Sequence, residues 1–253
     1  MKNKFILILV FLFVAIGLWF VYDNIILNKS KTREKIIVAT DATYPPLEYI
    51  DDKGNIIGFD IDLVNEIAKD LKFEIEIKNI SFDDIFEALT NKETDIIVSS
   101  VTITDERKKT MSFTNPYLNA GQVIVAKIDS QIKSVDDLRN AKVGVQSNTT
   151  SQTEGKKYVE KGNLMAYPDY ELALKDIKQG KIEALIIDYP AGVSMVQENN
   201  QVVKVVGKPF TSEFYGIVVA KDNQDLLNKI NGSLSKLKRN GTLDRLESIW
   251  FSR

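Results

Sequence analysis

The chain has 253 residues, a net charge of −2, and neither histidine nor cysteine. That length is enough for one large or two small domains, and the nearly balanced charge gives no bulk attraction for nucleic acid. Without histidine or cysteine there is no disulfide, no lipid-modified cysteine, no zinc site of the usual kind, and no thiol or imidazole catalysis.

The N-terminus has the composition of a membrane segment. Phe5–Tyr22 is a run of 18 residues without a charge, which is long enough to span a bilayer as a helix. A cleaved signal peptide has a shorter apolar core and a small-x-small cleavage site. We therefore predict an uncleaved signal-anchor helix and a polar tether over residues 1–34, with Trp19 and Tyr22 as interfacial anchors. A cleaved signal peptide is the alternative.

From residue 35 onward, predicted strands alternate with predicted helices. A β-branched run indicates the first strand, and apolar residues at helical spacing follow it, with Asp60 as the predicted helix cap. This order is typical of an α/β domain with a mostly parallel sheet. The elements are strand Lys35–Thr40, helix Ile61–Leu71, strand Phe73–Ile80, helix Phe82–Leu89 and strand Ile96–Val98.

A group of polar residues follows that last strand. The strand ends in the hydroxyls of Ser99, Ser100 and Thr102, and Thr104 is a predicted N-cap that places Arg107 on the next short helix. A guanidinium can grip two carboxylate oxygens while hydroxyls complete the shell, so these residues predict a carboxylate receptor. Spacing alone equally allows a capped helix whose arginine pairs with a surface acid.

A second α/β series occupies the rest of the chain. Its predicted elements are strand Gln122–Lys127, helix Val135–Arg139, strand Lys142–Gln146, helix Glu171–Gly180, strands Ala184–Ile187 and Phe214–Ala220, and helices Gln224–Lys238 and Leu243–Phe251. In open α/β sheets, ligands bind beyond the carboxyl ends of the strands. Asp41, Ser99, Gln146 and Asp188 each stand at that end of an apolar strand, which predicts a cleft lined by all four.

The segment IIVSSVTITDERKKTMSFTNPY at Ile96–Tyr117 resembles the matching part of the amino-acid-binding proteins of ABC importers, solute-binding protein family 3. Four further segments resemble this family in order and spacing. They are DATYPPLEY (Asp41–Tyr49), GFDIDLVNEIAKDL (Gly58–Leu71), VGVQSNTTSQ (Val143–Gln152) and ALIIDYPAG (Ala184–Gly192). The resemblance covers nearly everything from about residue 35 to the end.

The resemblance implies an α/β, two-lobed type II periplasmic-binding-protein fold with two crossover hinge strands, after an N-terminal hydrophobic helix. Residues 35–119 and 216–253 would form lobe 1, and residues 120–215 would form lobe 2. The crossings are expected near Asn119–Gly121 and Phe214–Gly216, where a glycine suits a bending backbone.

The resemblance also implies how an amino acid is held. Arg107 would bind the carboxylate, and Asp188 would bind the ammonium group. Without the resemblance, Asp188 reads more readily as a capping or turn acid before Pro190. Asn148 replaces the glycine of relatives, and asparagine tolerates left-handed backbone, so we expect this loop to be kept. The assisting groups are Thr102, Thr149 and Thr150 at the carboxylate and Ser100 at the ammonium.

Two aromatic residues are expected to enclose the ligand's side chain. Tyr44 and Phe82 match wall positions of relatives, although an aromatic residue that starts a helix, such as Phe82, is usually core. Asp41 stands where relatives place an acid near the tip of a basic ligand, and Gln146 would face the same region. These residues favour arginine, lysine or ornithine and leave glutamine open. Glu48 is not assigned a role.

We therefore expect the extracytoplasmic binding component of an ABC importer, monomeric and without a cofactor, that delivers a polar amino acid to a membrane permease. An enzyme that dehydrates prephenate or arogenate is the first alternative, but no second cleft acid is evident for the elimination. A sensory module is the second alternative, and nothing follows Arg253 that would signal.

Overall fold

The computed structural model describes residues 34–251 together with Trp19 and Tyr22. The strands from residue 34 onward are β1 (Lys35–Thr40), β2 (Thr43–Tyr44), β3 (Glu48–Ile50), β4 (Ile56–Ile57), β5 (Glu74–Asn79), β6 (Ile96–Ile97), β7 (Met111–Phe113), β8 (Leu118–Asn119), β9 (Gln122–Lys127), β10 (Val143–Gln146), β11 (Leu164–Tyr167), β12 (Ala184–Asp188), β13 (Val203–Val206), β14 (Phe214–Tyr215) and β15 (Val218–Ala220). The helices are α1 (Phe59–Leu71), α2 (Ile85–Thr90), α3 (Asp105–Thr110), α4 (Thr150–Tyr158), α5 (Tyr170–Lys178), α6 (Tyr189–Glu198), α7 (Gln224–Arg239) and α8 (Thr242–Phe251), and Val135–Leu138 forms a 3₁₀ turn.

The first sheet has the strand order β5-β1-β6-β15-β7. β1 pairs in parallel with β5 and β6, whereas β15 runs antiparallel to β6 and β7. Helix α1 buries Leu63, Val64 and Ile67 and packs against α7 and α8. The C-terminal helices therefore complete the half of the molecule that the first strands begin.

The second sheet has the order β11-β10-β12-β9-β13. β10 is parallel to β11 and β12, while β9 runs antiparallel to β12 and β13. Every residue of β12 is buried, which explains the unbroken apolar run before Asp188. Helices α4, α5 and α6 contact the strands of this sheet.

A two-stranded ribbon lies where the chain passes between the sheets. In it β8 pairs antiparallel with β14, with Asn119 opposite Phe214 and Leu118 opposite Tyr215. The prediction of one strand over Phe214–Ala220 is therefore wrong. Its first two residues pair with β8, whereas Val218–Ala220 pairs with β6 and β7 in the first sheet, and Gly216 and Ile217 between them belong to neither strand.

Most predicted elements occur within a few residues of their expected bounds, in a two-lobed α/β arrangement. Asp60 is not the cap of α1, because Gly58 occupies the N-cap position and Asp60 lies buried in the first turn. The helix expected over Val135–Arg139 is a single 3₁₀ turn. Helices α4 and α6 were not predicted. The small sheet β2-β3-β4 was not predicted either, because its strands are only two or three residues long.

The membrane helix and tether predicted for residues 1–34 lie outside the described residues, except for Trp19, Tyr22 and Glu34. Trp19 and Tyr22 are helical and exposed. In the part of the chain that the structure describes, we find no helix with the length and apolar character that a membrane span requires. The bounds of the two lobes remain predictions at residue level.

Gly58 joins the β3–β4 region to α1 at a position that accepts only glycine. Its φ is +140°, and a Cβ there would lie 2.0 Å from the carbonyl oxygen of Leu47. We predict that Gly58→Ala lowers the free energy of unfolding by about 3 kcal/mol, through backbone strain and overlap. A scan by differential scanning fluorimetry should show a fall in Tm of about 6–12 °C.

Gly54→Ala is the matched control. Gly54 also has a positive φ, of +82°, but no atom lies within 4 Å of the added carbon. We expect a cost of about 1 kcal/mol there, from the left-handed backbone alone. Equal effects of the two substitutions would contradict the assigned role of the Leu47 contact.

Candidate functional site

A small cavity, of about 20 Å³, lies between the two sheets, at the carboxyl ends of β1, β6, β10 and β12. It brings together all the residues predicted from the sequence, and whether each one touches a ligand remains a prediction. They are Asp41, Tyr44, Phe82, Ser99, Ser100, Thr102, Arg107, Gln146, Thr149, Thr150 and Asp188. The lining residues that sequence reasoning missed are Glu48, Ser151 and Tyr170.

Arg107 lies on α3, a helix that begins where the sequence predicts it. Thr104 caps this helix, since its Oγ1 accepts a hydrogen bond of 3.2 Å from the N–H of Arg107. The guanidinium donates from Nη1 to the carbonyl of Thr102 (2.9 Å) and from Nη2 to the carbonyl of Asn148 (3.4 Å) on the opposite half. Burial lowers the pKa of Arg107 to about 10. A bound anion would restore the balance in favour of its charged form.

The loop between β10 and α4 faces Arg107 across the cavity. Asn148 adopts the left-handed conformation that was predicted for it, with φ of +57°. Thr149 caps α4, because its Oγ1 accepts a hydrogen bond from the N–H of Gln152 (3.3 Å). The first N–H groups of a helix have no acceptor within it and carry partial positive charge. The start of α4 therefore adds anion-binding donors close to the guanidinium.

Asp188 ends β12 and occupies the N-cap position of α6, but its side chain makes no capping hydrogen bond. Instead, Oδ2 accepts hydrogen bonds from the hydroxyls of Tyr215 (2.5 Å) and Tyr44 (3.2 Å). Oδ1 is buried and accepts no hydrogen bond among the described residues. Burial raises the pKa of Asp188 to about 7, and the bond from Tyr215 partly opposes that rise. One carboxylate oxygen is thus left for a cationic group.

Aromatic rings enclose the cavity on two sides. Tyr44 stacks on Tyr170, with 5.6 Å between ring centroids. Phe82 meets Phe86 edge to face at 5.4 Å, and the guanidinium carbon of Arg107 lies 5.7 Å and 5.2 Å from these two centroids. Phe82 therefore supports the guanidinium through a cation–π contact as well as lining the cavity, which combines the wall and core roles weighed from the sequence.

Asp41 is held by donors from three directions. Its Oδ1 accepts from the hydroxyl of Thr43 (2.9 Å), and its Oδ2 accepts from the N–H of Phe82 (3.1 Å) and the amide of Gln146 (3.4 Å). Its own N–H donates to Ser99 Oγ (2.9 Å). Burial raises the pKa of Asp41, and the bonds from Thr43 and Phe82 oppose that rise. Asp41 and Gln146 therefore meet in one region, as expected.

Glu48 is the informative residue that the sequence reasoning left unassigned. The β2–β3 hairpin pairs Tyr44 with Glu48, so a wall residue brings the acid to the cavity. Ser99 and Ser100 donate their hydroxyls to the two oxygens of Glu48, at 3.3 Å and 3.0 Å. The hydroxyl of Ser100 is thus directed at Glu48, whereas the prediction was that either this hydroxyl or the main-chain carbonyl of Ser100 helps to hold an ammonium. The sequence feature that could have pointed to Glu48 is the turn at Pro45, because this turn pairs Tyr44 with Glu48 across very short strands.

The halves of the molecule touch both inside and outside the cavity. Inside, the hydroxyls of Thr102 and Thr150 lie 3.4 Å apart, and Tyr44 and Asp188 meet as described. Outside, Asp83 accepts hydrogen bonds from the hydroxyl of Ser147 (3.1 Å and 3.2 Å to its two oxygens) and from the amide of Asn148 (2.7 Å). We call this exposed contact the Asp83 clasp.

The cavity offers opposite charges in one enclosed space. A guanidinium and the start of a helix provide donors for an anion, and a carboxylate with an unbonded oxygen provides an acceptor for a cation. Within residues 34–251, no group of three or more acids is placed to hold a metal ion. The site is therefore complementary to a small zwitterion.

Known proteins of one family are similar to this chain. The profile of the bacterial extracellular solute-binding proteins, family 3, matches residues 36–253. L-cystine-binding protein TcyJ of Escherichia coli (strain K12) is 33% identical over 231 residues, which cover 90% of this chain and 87% of that protein. ABC transporter arginine-binding protein 1 of the same organism is 32% identical over 230 residues, with 88% and 93% covered.

Solved structures extend the comparison to three dimensions. An ancestral arginine-binding protein bound to arginine superposes with a TM-score of 0.82 at 40% identity, and covers 87% of this chain and 99% of its own. The same TM-score and identity describe an ancestral arginine-binding protein bound to glutamine, with 88% and 100% covered. The family and these relatives are solute-binding proteins, in agreement with the prediction that the chain is not an enzyme.

The buried carboxyl of Asp188 should make the ligand-free protein less stable as pH rises. Its pKa is raised from 3.8 to about 7, so the native state binds this proton more tightly than the unfolded chain. The stabilisation is therefore full below pH 4 and is lost as pH rises to about 7. We predict that Asp188→Asn removes this loss and gains about 2–3 kcal/mol relative to wild type between pH 5 and pH 8. Urea unfolding of both proteins at pH 5 and at pH 8 measures this difference in the free energy of unfolding.

Asp52→Asn is the control, because Asp52 is exposed and lies outside the cavity lining. Other buried acids titrate equally in wild type and in Asp188→Asn, so the difference between the two isolates Asp188. A difference that does not change with pH would count against the assigned burial of this charge.

Proposed function

The chain belongs to the bacterial extracellular solute-binding proteins, family 3, and we propose that it captures a polar amino acid outside the cytoplasmic membrane and delivers it to an ABC permease. The observation that carries this proposal is the presence of Arg107 and the unbonded Oδ1 of Asp188 in the lining of one cavity. An α-amino acid presents a carboxylate to the first and an ammonium group to the second.

The free energy of binding requires contacts from both halves of the cavity. A charge-assisted hydrogen bond contributes about 1.5–3 kcal/mol, whereas micromolar affinity needs about 8 kcal/mol. Arg107 and Asp188 come from opposite halves, so each half alone holds one end of the ligand and also bears the ordering costs. A ligand that touches both halves favours the closed arrangement through contacts that the open one lacks.

The side chain of the ligand would lie between the aromatic walls, with Asp41 and Gln146 at its end. Once the ammonium group has paired with Asp188 and the carboxylate with Arg107, the charge of Asp41 is still uncompensated. This favours arginine, lysine or ornithine, and arginine is the ligand named for ABC transporter arginine-binding protein 1. Glutamine is the second ligand that the amide of Gln146 would suit.

The remaining organisation is proposed on the same basis. Residues 35–119 and 216–253 would form one lobe and residues 120–215 the other, joined by the β8–β14 ribbon. The protein would act as a monomer. The run Phe5–Tyr22 would tether the protein beside its permease as an uncleaved helix.

We predict that the full-length protein binds at least one of these amino acids with micromolar or tighter affinity in calorimetry, and that Arg107→Ala weakens binding at least about 100-fold. The alanine removes the group that pairs with the carboxylate. Arg107→Lys keeps a positive charge but lacks the two-pronged donor geometry, so it should lose at least about tenfold.

Lys108→Ala is the matched control on the same helix, because Lys108 is exposed and absent from the cavity lining. Circular dichroism and thermal unfolding check that the Arg107 variants fold. Micromolar affinity in a folded Arg107→Ala protein would refute the carboxylate assignment. Failure of the twenty amino acids and ornithine to bind wild type would refute the function.

The Asp83 clasp should contribute modestly to ligand affinity, because it forms only when the halves meet and is exposed to water. We predict that Asp83→Ala costs about 1 kcal/mol, or about fivefold in Kd, with an unchanged preference among ligands. Asp84→Ala is the control, since Asp84 accepts the hydroxyl of Ser81 (2.6 Å) within its own half. Equal losses in the two variants, measured by calorimetry, would exclude a role for the clasp.

A further inference from the structure

Two carboxyl groups lie buried together at the wall of the cavity, and no step of the proposed binding uses them. Glu48 and Asp60 are 1% and 0% exposed. Glu48 lines the cavity directly, whereas Asp60 lies behind it on the first turn of α1. Two ionised carboxylates cannot share a dry site without a compensating cation, because each loses its hydration and repels the other.

The hydrogen bonds indicate which of the two carries the charge. Oδ2 of Asp60 accepts from the N–H of Ser100 (2.8 Å) and the hydroxyl of Tyr117 (2.8 Å), which favours its ionised form. Burial raises the pKa of Asp60 to about 6. Burial and the charge of Asp60 together raise the pKa of Glu48 well above its usual range. The hydrogen bonds therefore favour the negative charge on Asp60, and a proton shared by the pair would lie on Glu48.

One atom fits this assignment independently. Oδ1 of Asp60 is buried and accepts no hydrogen bond from any N–H or hydroxyl of the described residues. A protonated Glu48 would supply a donor to Asp60, and the interaction of the two side chains raises the pKa of Glu48 while lowering that of Asp60. The cavity wall thus ends in a neutral carboxyl backed by a fixed negative charge.

Among residues 34–251, the groups that face Glu48 contain no cation. They are the acids Asp41 and Asp60, the hydroxyls of Ser99 and Ser100, and the phenols of Tyr117 and Tyr215. Arg107 is engaged with the carbonyl groups of Thr102 and Asn148. A positive charge that enters beside Glu48 is therefore the one change that would make its ionised form favourable.

We propose that Glu48 recognises the charge of the ligand's side chain, and that it releases its proton to solvent when a cationic side chain lies beside it. Glu48 then becomes a second carboxylate, next to Asp41, for a guanidinium or ammonium terminus. With an uncharged side chain it keeps the proton and binds as a hydrogen-bonding neutral acid. This inference rests on the proposed function and adds a specificity-determining residue to it.

Arginine and citrulline are matched probes, because citrulline has nearly the shape of arginine without its charge. Calorimetry in buffers of different ionisation enthalpy at pH 7 gives the number of protons released on binding. Asp188 contributes equally for both probes, since both have the same ammonium group. We expect wild type to release about one more proton with arginine than with citrulline.

Glu48→Gln is the decisive variant, since glutamine keeps the shape and neutrality of the protonated acid. It should abolish the extra proton and weaken arginine at least tenfold, while changing citrulline binding less than threefold. Should the variant fail to fold, equal proton release with both probes on wild type still overturns the inference. If citrulline binds too weakly for calorimetry, the slope of log Kd for arginine against pH, in wild type and Glu48→Gln, supplies the same count.

Three results would overturn the inference and leave the proposed function intact. They are equal proton release with both probes, an arginine affinity unaffected by Glu48→Gln, and binding of uncharged amino acids only. Absence of binding by every amino acid would instead remove the proposed function itself. The two failures are therefore distinguishable within one set of titrations.

Discussion

The desolvation of charge is the constraint on which the rest of this structure depends. Burial lowers the pKa of Arg107 to about 10 and raises that of Asp188 to about 7, so both charged forms are disfavoured where they stand. A tightly packed protein of maximal stability would not leave an oxygen of a buried carboxylate unbonded. The apolar cores of the two large sheets stabilise the fold enough to offset the free-energy cost of these buried charges. A zwitterion that replaces lost hydration at both ends turns that cost into affinity and selectivity.

The architecture follows from the need to surround a ligand and still admit it. Parallel strands present their carboxyl ends to one cavity, so that loops from two sheets reach the same few ångströms. Contacts between the halves include the hydroxyls of Thr102 and Thr150, the exposed Asp83 clasp and the buried stacking of Tyr44 on Tyr170. Exposed polar contacts such as the Asp83 clasp are weak individually.

The sequence was sufficient for residues that chemistry and strand position mark together. Arg107 follows a capped helix start, and Asp188 follows a fully apolar strand, so each had an identifiable place. Glu48 had none, because its position depends on a hairpin of very short strands whose pairing no periodicity reveals. Asp60 was misread as a cap because an acid before an apolar helix is the usual signal, whereas Gly58 starts the helix and frees the acid for Ser100. The fold class was predictable because long buried strands and amphipathic helices dominate it. The β8–β14 ribbon was not predictable, because the single apolar run Phe214–Ala220 contributes strands to two different sheets.

The hydroxyl that Tyr215 donates to Asp188 places a strand of the crossing ribbon in direct contact with the proposed ammonium site. Tyr44, from the other half, donates to the same oxygen. Separation of the halves would withdraw Tyr44 and admit water to the carboxylate, which would then be screened like any surface acid. Unloading therefore requires no competing ligand. A partner protein that only holds the halves apart would weaken ligand binding, because water would then reach the carboxylate of Asp188.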